Sequence, residues 1–432
     1  MLILTDLDGT LINTVHPTWK PYKDGLEGYS IEPHLCRLPI FYGAKAFIDA
    51  RKAKGDNVIV VSDSHYRYVN PICDMFDVER IALADKPNCK KLNEYLDAHP
   101  ECKLDIENGN CIVIGDTKLD IELGRHIGAM TVWFLPYQII EDIKDERDGI
   151  GDEMLSKKMG PTFAAKTFAE LETILDSPMK NLYAIEAAFS GTDSVRSVRL
   201  NYNRYSDGTF AAIRCLARQE QGACDKYARA DKYYMMANPQ RTQDFLQTLS
   251  KGISCYLSQP SLIKYGWDYF TYLTDKTTTT PPNKMQEVFD MVETDIPKIS
   301  LLKWRDDVQG SLREQDQYAD RQTYLRKYLT VEYPSDAAIT LTGKNIIVLD
   351  DQLTTGATAW HVIRTLKGNG AKNVLFIAVF QMCLPVYDDV SCPRCGKPML
   401  IKLRRADGHK FYSCIPPEFG GNGCGYIQNI PE

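Results

Sequence analysis

Thirteen consecutive residues, IIVLDDQLTTGAT from Ile346 to Thr358, constrain this chain more than any other stretch. Four apolar residues predict a buried strand, with two adjacent carboxylates, Asp350 and Asp351, at its end. The turn Thr354-Thr355-Gly356-Ala357-Thr358 then opens a helix. At a helix N-terminus, backbone N–H groups and hydroxyls can wrap an anion. The combination suits a ribose bearing a 5′-phosphate. Carboxylates accept hydrogen bonds from the ribose hydroxyls and offset positive charge developing on the sugar, while the turn holds the phosphate.

Along its whole length this segment resembles the phosphoribosyl-diphosphate (PRPP) signature of type I phosphoribosyltransferases (PRTases). The resemblance implies transfer of phosphoribose as Mg²⁺-pyrophosphate departs, with Asp350 and Asp351 as catalytic carboxylates and PRPP as co-substrate. Upstream, LLKWRDDVQGSLREQDQYADRQTYL resembles a segment of ComF-like amidophosphoribosyltransferases, in which a basic residue, a Gln and an Arg recur. Arg305, Gln309 and Arg321 match that pattern, with Arg305 and Arg321 implied as PRPP ligands. The Asn expected after the Arg is absent, since Gln322 and Thr323 stand there. Read as a plain helix, the same stretch is a solvated amphipathic one. Lys276, beside the run Thr277–Pro282, reads as a surface-loop residue, with a pyrophosphate loop as the alternative.

The N-terminal part carries a second acidic pattern. Asp6-Leu7-Asp8-Gly9-Thr10 follows a strand and can project two carboxylates from its end. Asp6 suits a nucleophile that forms an aspartyl-phosphate, and Asp8 a proton donor and acceptor. The string Gly115-Asp116-Thr117-Lys118-Leu119-Asp120 follows CIVI and would complete a Mg²⁺ site of hard oxygen ligands. Between them, Ser62 and Lys86 offer a hydroxyl and an ammonium for phosphoryl oxygens. In this order, DxDGT, Ser, Lys and GDxxxD resemble the motifs of the haloacid dehalogenase (HAD) superfamily of phosphatases. That resemblance implies Mg²⁺ on the Asp6 and Asp116 side chains and the Asp8 carbonyl, with Asp120 in support. The 23 residues between Ser62 and Lys86 leave no room for a cap domain, so Asn13–Phe41 is at most a small flap.

Near the C-terminal end, Cys392 and Cys395 form a CxxC knuckle, followed by Cys414 and Cys424. Four thiolates so placed suit tetrahedral Zn²⁺, with a redox CxxC as the alternative. The string resembles the small zinc ribbons at the end of type IA topoisomerases. It implies a nucleic-acid contact through Lys402, Arg404, Arg405, Lys410, Phe411 and Tyr412. His409 reads as a turn residue.

Composition narrows the setting. A net charge of −6 excludes a generally basic nucleic-acid coat. Nine of the 13 cysteines are scattered singly, which favours a reduced, cytoplasmic protein over a disulfide scaffold. MLILT runs directly into Asp6 and Asp8, unlike a signal peptide, and Val374–Val386 is interrupted by Gln381, so no membrane partner is expected. The expected fold class is α/β: a HAD-like Rossmannoid domain over 1–178, a PRTase type I α/β domain over 181–385, and a zinc ribbon over 390–432. Asp142–Lys166 reads as a polar excursion, Trp267–Thr274 as a strand and Lys303–Lys327 as a polar, helix-rich stretch. Two functions are expected from different classes. One is a bifunctional enzyme of nucleotide or nucleoside-like metabolism, acting on a phosphorylated small molecule and on PRPP. The other is a nucleic-acid-associated repair or defence protein whose PRTase-like domain senses a nucleotide. Oligomeric state is left open.

Overall fold

A computed structural model describes residues 1–136, 153–220, 225–238, 240–276, 284–310, 312, 315, 318–332, 339–403, 410–415 and 423–430. The run Thr277–Pro282, Arg404, Arg405, His409 and the Gly420–Asn422 loop lie outside the described residues. The chain divides into two compact units. The first holds Met1–Pro178, Glu220–Lys226 and Leu384–Glu432; the second holds Met179–Gln219 and Tyr227–Cys383.

In the first unit, strands β1 (Leu2–Thr5), β2 (Asn57–Ser62), β3 (Glu79–Ala82), β4 (Cys111–Gly115), β5 (Met130–Phe134) and β6 (Phe163–Ala165) form one sheet. Its order is β3-β2-β1-β4-β5-β6, and every pairing is parallel. Helices between the strands cover the sheet, so central strands such as β1 and β4 are buried throughout and largely apolar. Helix Tyr66–Phe76 buries Tyr68, Val69, Ile72, Cys73 and Phe76, the three-and-four spacing of an amphipathic helix laid on a core. Each such apolar side chain contributes about 1.5–3 kcal/mol.

The polar excursion expected over Asp142–Lys166 is partly regular structure. Glu153–Lys158 is helical and β6 pairs with β5 through Val132↔Phe163. Its three residues are too few for an alternating pattern to be read from sequence.

The first unit also holds β14 (Tyr387–Ser391), β15 (Pro398–Leu403), β16 (Lys410–Ser413) and β17 (Ile427–Asn429), an antiparallel sheet in that order.

The second unit is built on β7 (Val198–Arg204), β8 (Phe210–Gln219), β9 (Tyr269–Tyr272), β12 (Asn345–Leu353) and β13 (Asn373–Met382) in the order β7-β8-β13-β12-β9. Only the β7–β8 edge is antiparallel. Successive β12 side chains serve opposite cores. Ile346 and Val348 join one cluster, and Ile347 and Leu349 the other. The stretch Lys303–Lys327 departs from its expected helical character at the start. It begins in β10 (Leu302–Trp304), paired with β11 (Leu329–Val331), and its helix is Tyr318–Tyr328. Among the described residues, no helix is long and apolar enough to cross a membrane.

Candidate functional site

Because β1 and β4 are parallel neighbours, the loops after Thr5 and Gly115 emerge at one sheet edge. Ligand oxygens of Asp6, Asp116 and Asp120, all buried, lie within 4.8 Å of one another there. Two glycines make this approach feasible. A Cβ on Gly9, at φ +84°, would stand 2.1 Å from Asp116 Oδ2, and one on Gly115 2.2 Å from Asp120 Cγ. Asp120 is oriented by the start of helix Lys118–Ile127, where its Oδ2 accepts from Thr117 N at 3.1 Å and Thr117 Oγ1 at 2.8 Å.

The Lys86 ammonium bridges the group, 2.8 Å from Asp6 and 2.5 Å from Asp120. Burial opposes its charge, yet Asp120, Asp6 and Asp63 outweigh that and raise its pKa. Asp6 is raised well above the usual carboxylate range by burial, with repulsion from Asp120, Asp116 and Asp8 adding to it against the pull of Lys86. Three buried hard-oxygen donors short of positive charge fit a divalent cation such as Mg²⁺.

Asp8 is turned toward hydroxyls. Thr14 and Tyr68 donate to its Oδ1 at 2.5 and 2.8 Å, and Ser64 to its Oδ2 at 2.9 Å. Ser62 is buried, and its Oγ accepts from Ser64 N at 3.2 Å. Trp133 donates its indole N–H to the Asp116 carbonyl at 3.0 Å. Thr14, Ser64, Tyr68 and Trp133 escaped the sequence reading, because they belong to no spaced motif and meet the acids only through the fold.

In the second unit, Gly356 adopts φ +79° as N-cap of helix Ala357–Gly368. The turn Thr354–Thr358 lines a pocket together with Arg321, Asp350 and Gln352. Arg321 reaches it from helix Tyr318–Tyr328, donating to Thr355 Oγ1 at 3.1 Å. Gln322, standing where an Asn was expected, is buried and donates to the Ala357 carbonyl at 2.8 Å, tying its helix to the turn.

The two carboxylates at the end of β12 take different further partners. Asp350 lines the pocket and is raised by burial and then by Asp351. Asp351 is ion-paired with Lys284 and lies 3.5 Å from the Tyr233 hydroxyl, while its carboxyl also touches that of Asp350. Lys284, absent from the sequence reading, has its pKa raised: burial opposes its charge but Asp351 prevails.

Arg305 does not line this pocket; its guanidinium forks onto Asp307 at 2.9 and 3.1 Å and is exposed. Gln309 is exposed and likewise outside the lining. Lys276 departs from the surface-loop expectation. Its ammonium lies 4.8 and 4.7 Å from the Trp304 and Tyr324 ring centroids and donates to the Tyr324 hydroxyl at 2.7 Å.

The four cysteines Cys392, Cys395, Cys414 and Cys424 converge between the ribbon strands. Sulfur separations are 3.6 Å for Cys392–Cys424, 3.4 Å for Cys395–Cys414 and 4.0 Å for Cys414–Cys424. Tetrahedral Zn²⁺ with bonds of about 2.3 Å needs sulfurs about 3.8 Å apart, whereas a disulfide needs about 2.0 Å. The set fits zinc. Burial opposes ionisation of Cys392, but backbone N–H groups of Arg394 and Cys395 and its thiol neighbours bring it down to about 7. Among the residues implied for nucleic acid, Lys402, Phe411 and Tyr412 lie half-buried on β15 and β16.

No protein-family model matches this chain, and no curated protein matches it. Solved structures similar to it include a predicted phosphoglycolate phosphatase from Haemophilus somnus, at 18% identity over 40% of this chain and 96% of that one, with a TM-score of 0.29. A phospho-aspartyl intermediate analogue of phosphoserine phosphatase is similar at 16% identity over 40% of this chain and 97% of that one, TM-score 0.27. A hypoxanthine phosphoribosyltransferase from Staphylococcus aureus is similar at 13% identity over 32% of this chain and 65% of that one, TM-score 0.21. Similarity at this level decides nothing about chemistry, which rests on the residues themselves.

Proposed function

We propose that the chain is a two-site enzyme. Its first unit hydrolyses phosphomonoesters through an aspartyl-phosphate on Asp6, and its second transfers phosphoribose from PRPP. The observation that carries the first reading is the buried group of Asp6, Asp116 and Asp120 bridged by Lys86. Mg²⁺, held by the Asp6 and Asp116 side chains and the Asp8 carbonyl with Asp120 in support, would supply charge neutralisation on the phosphoryl group. Asp6 attacks phosphorus and the ester P–O bond breaks, the leaving oxygen taking a proton from Asp8. Water then attacks the aspartyl-phosphate while Asp8 takes its proton, releasing inorganic phosphate and restoring Asp6. Lys86 and Ser62 hold phosphoryl oxygens during both displacements.

Hydrolysis of an aryl phosphate tests this assignment. Asp6→Asn is expected to abolish turnover, and an Asp6→Asn protein as active as the unaltered chain would refute the nucleophile. For the second unit, support comes from the pocket that joins Arg321, Asp350 and the Thr354–Thr358 turn. The turn and Arg321 bind the 5′-phosphate region, and Asp350 and Asp351 balance charge on the sugar. Turnover of isotope-labelled PRPP with candidate bases or amines is the test. Equal turnover by the Asp350→Asn, Asp351→Asn double variant would sink the transferase reading.

A further inference from the structure

Neither proposed reaction uses the residues that close helix Lys118–Ile127, the helix whose first turn carries Asp120. His126 places Nδ1 3.2 Å from the Pro87 carbonyl and Nε2 2.8 Å from the Tyr387 carbonyl. Both carbonyls are acceptors for a ring N–H of His126. Glu122 stands one helical turn earlier on the same helix. Pro87 directly follows Lys86, and Tyr387 opens the first ribbon strand, β14.

Two further contacts run the same way. Arg125 Nη1 donates to the Leu384 carbonyl at 2.7 Å and the Met159 carbonyl at 2.9 Å. Trp133, the donor to the Asp116 carbonyl, packs with Ile121, Met159 and Val386 in a small apolar cluster. Lys86, Asp116 and Asp120 are therefore each linked, through one or two intervening residues or a helix, to the segment Leu384–Tyr387.

We propose that His126 is a positioning residue that ties the Lys86 loop to the cysteine ribbon, so that zinc on the ribbon sets the geometry of the phosphoryl site. Among the described residues, the ribbon's buried cluster is built on Cys392, Met399 and Cys414, with Leu400 and Ile415 also buried. A sheet whose buried cluster is centred on metal-binding thiols draws folding energy from the metal. When zinc leaves, β14 loosens, the Tyr387 carbonyl is withdrawn from His126, and the Lys86 loop loses its anchor. The rate consequence rests on the hydrolase reading; the mechanical link does not.

Hydrogen–deuterium exchange across Leu83–Cys89 in the full chain reads the link directly. Stripping zinc with a zinc-selective chelator is expected to speed exchange there about tenfold, and His126→Ala to show the fast rate with zinc still bound, without further change on stripping. With Mg²⁺ present, kcat on an aryl phosphate is expected to fall about tenfold in both cases with little change in KM, and the two losses are not additive. Exchange that ignores stripping, losses that simply add, or a purified chain without zinc would overturn the proposal. Exchange that responds in a chain unable to hydrolyse any aryl phosphate would leave the link standing and remove the hydrolase reading. Should His126→Ala fail to fold, His126→Gln and the stripping of the unaltered chain decide the matter.

Discussion

At the scale of single residues, the acidic centre is a problem of crowding. Gly9 and Gly115 are the positions where any side chain would collide with Asp116 or Asp120. Gly115→Ala is therefore expected to keep the fold and to lose divalent-cation affinity by at least about tenfold, measured by calorimetric titration with Mg²⁺. Asp6 leads to a stability prediction. Burial and its acidic neighbours raise its pKa from the ordinary 3.8, so the folded chain binds this proton more tightly than the unfolded one. Stability is then lost as pH rises from the ordinary carboxylate range through the raised value. In the presence of a chelator, Asp6→Asn should raise the melting temperature at neutral pH and flatten this dependence, read from thermal melts between about pH 4 and 8. A melting temperature that falls on substitution would contradict the assigned cause. The motif residues were legible because carboxylates and glycines at fixed spacing leave few other uses. Thr14, Ser64 and Tyr68 were not, because a hydroxyl that orients Asp8 looks like any other hydroxyl until the chain brings it there.

Among the elements, the strands were the most legible part, since a parallel sheet covered on both sides demands unbroken apolar runs such as Ile346–Leu349. The fold decided something the motif concealed, lining the pocket with Asp350 and pairing Asp351 with Lys284. Helix Tyr318–Tyr328 was partly legible, with Arg321 brought to the turn and Arg305 left on the preceding loop beside Asp307. Removal of a charge-assisted phosphate contact costs about 1.5–3 kcal/mol. Arg321→Ala should thus weaken ribose 5-phosphate binding at least about tenfold by calorimetry, while Arg305→Ala leaves it unchanged. In the ribbon, a Cβ on Gly423 would fall 2.3 Å from Cys414 Sγ. Gly423→Ala is accordingly expected to lower zinc content by metal analysis, and full zinc loading would count against a single four-sulfur centre.

For the whole molecule, the first unit is assembled from three separated stretches of sequence, and one buried ion pair marks how they are joined. Arg125 Nε lies 3.0 Å from Glu220, both fully buried, while its Nη1 holds the carbonyls of Met159 and Leu384. Leaving one buried charge without its partner costs about 3–5 kcal/mol. Glu220→Gln should lower the denaturation midpoint accordingly, and a change within error would show that the pair is not needed for assembly. The sequence by itself determined the α/β class, strands β1 to β5 of the first sheet and β9, β12 and β13 of the second, and which carboxylates and thiols could meet, because apolar periodicity and motif spacing act over a few residues. Only the tertiary structure decided which hydroxyls and lysines serve the carboxylates, and that the stretch bearing the four cysteines belongs to the same unit as the N-terminal sheet. Those outcomes depend on contacts between residues tens to hundreds of positions apart, where burial and hydrogen bonding select partners that no local pattern encodes.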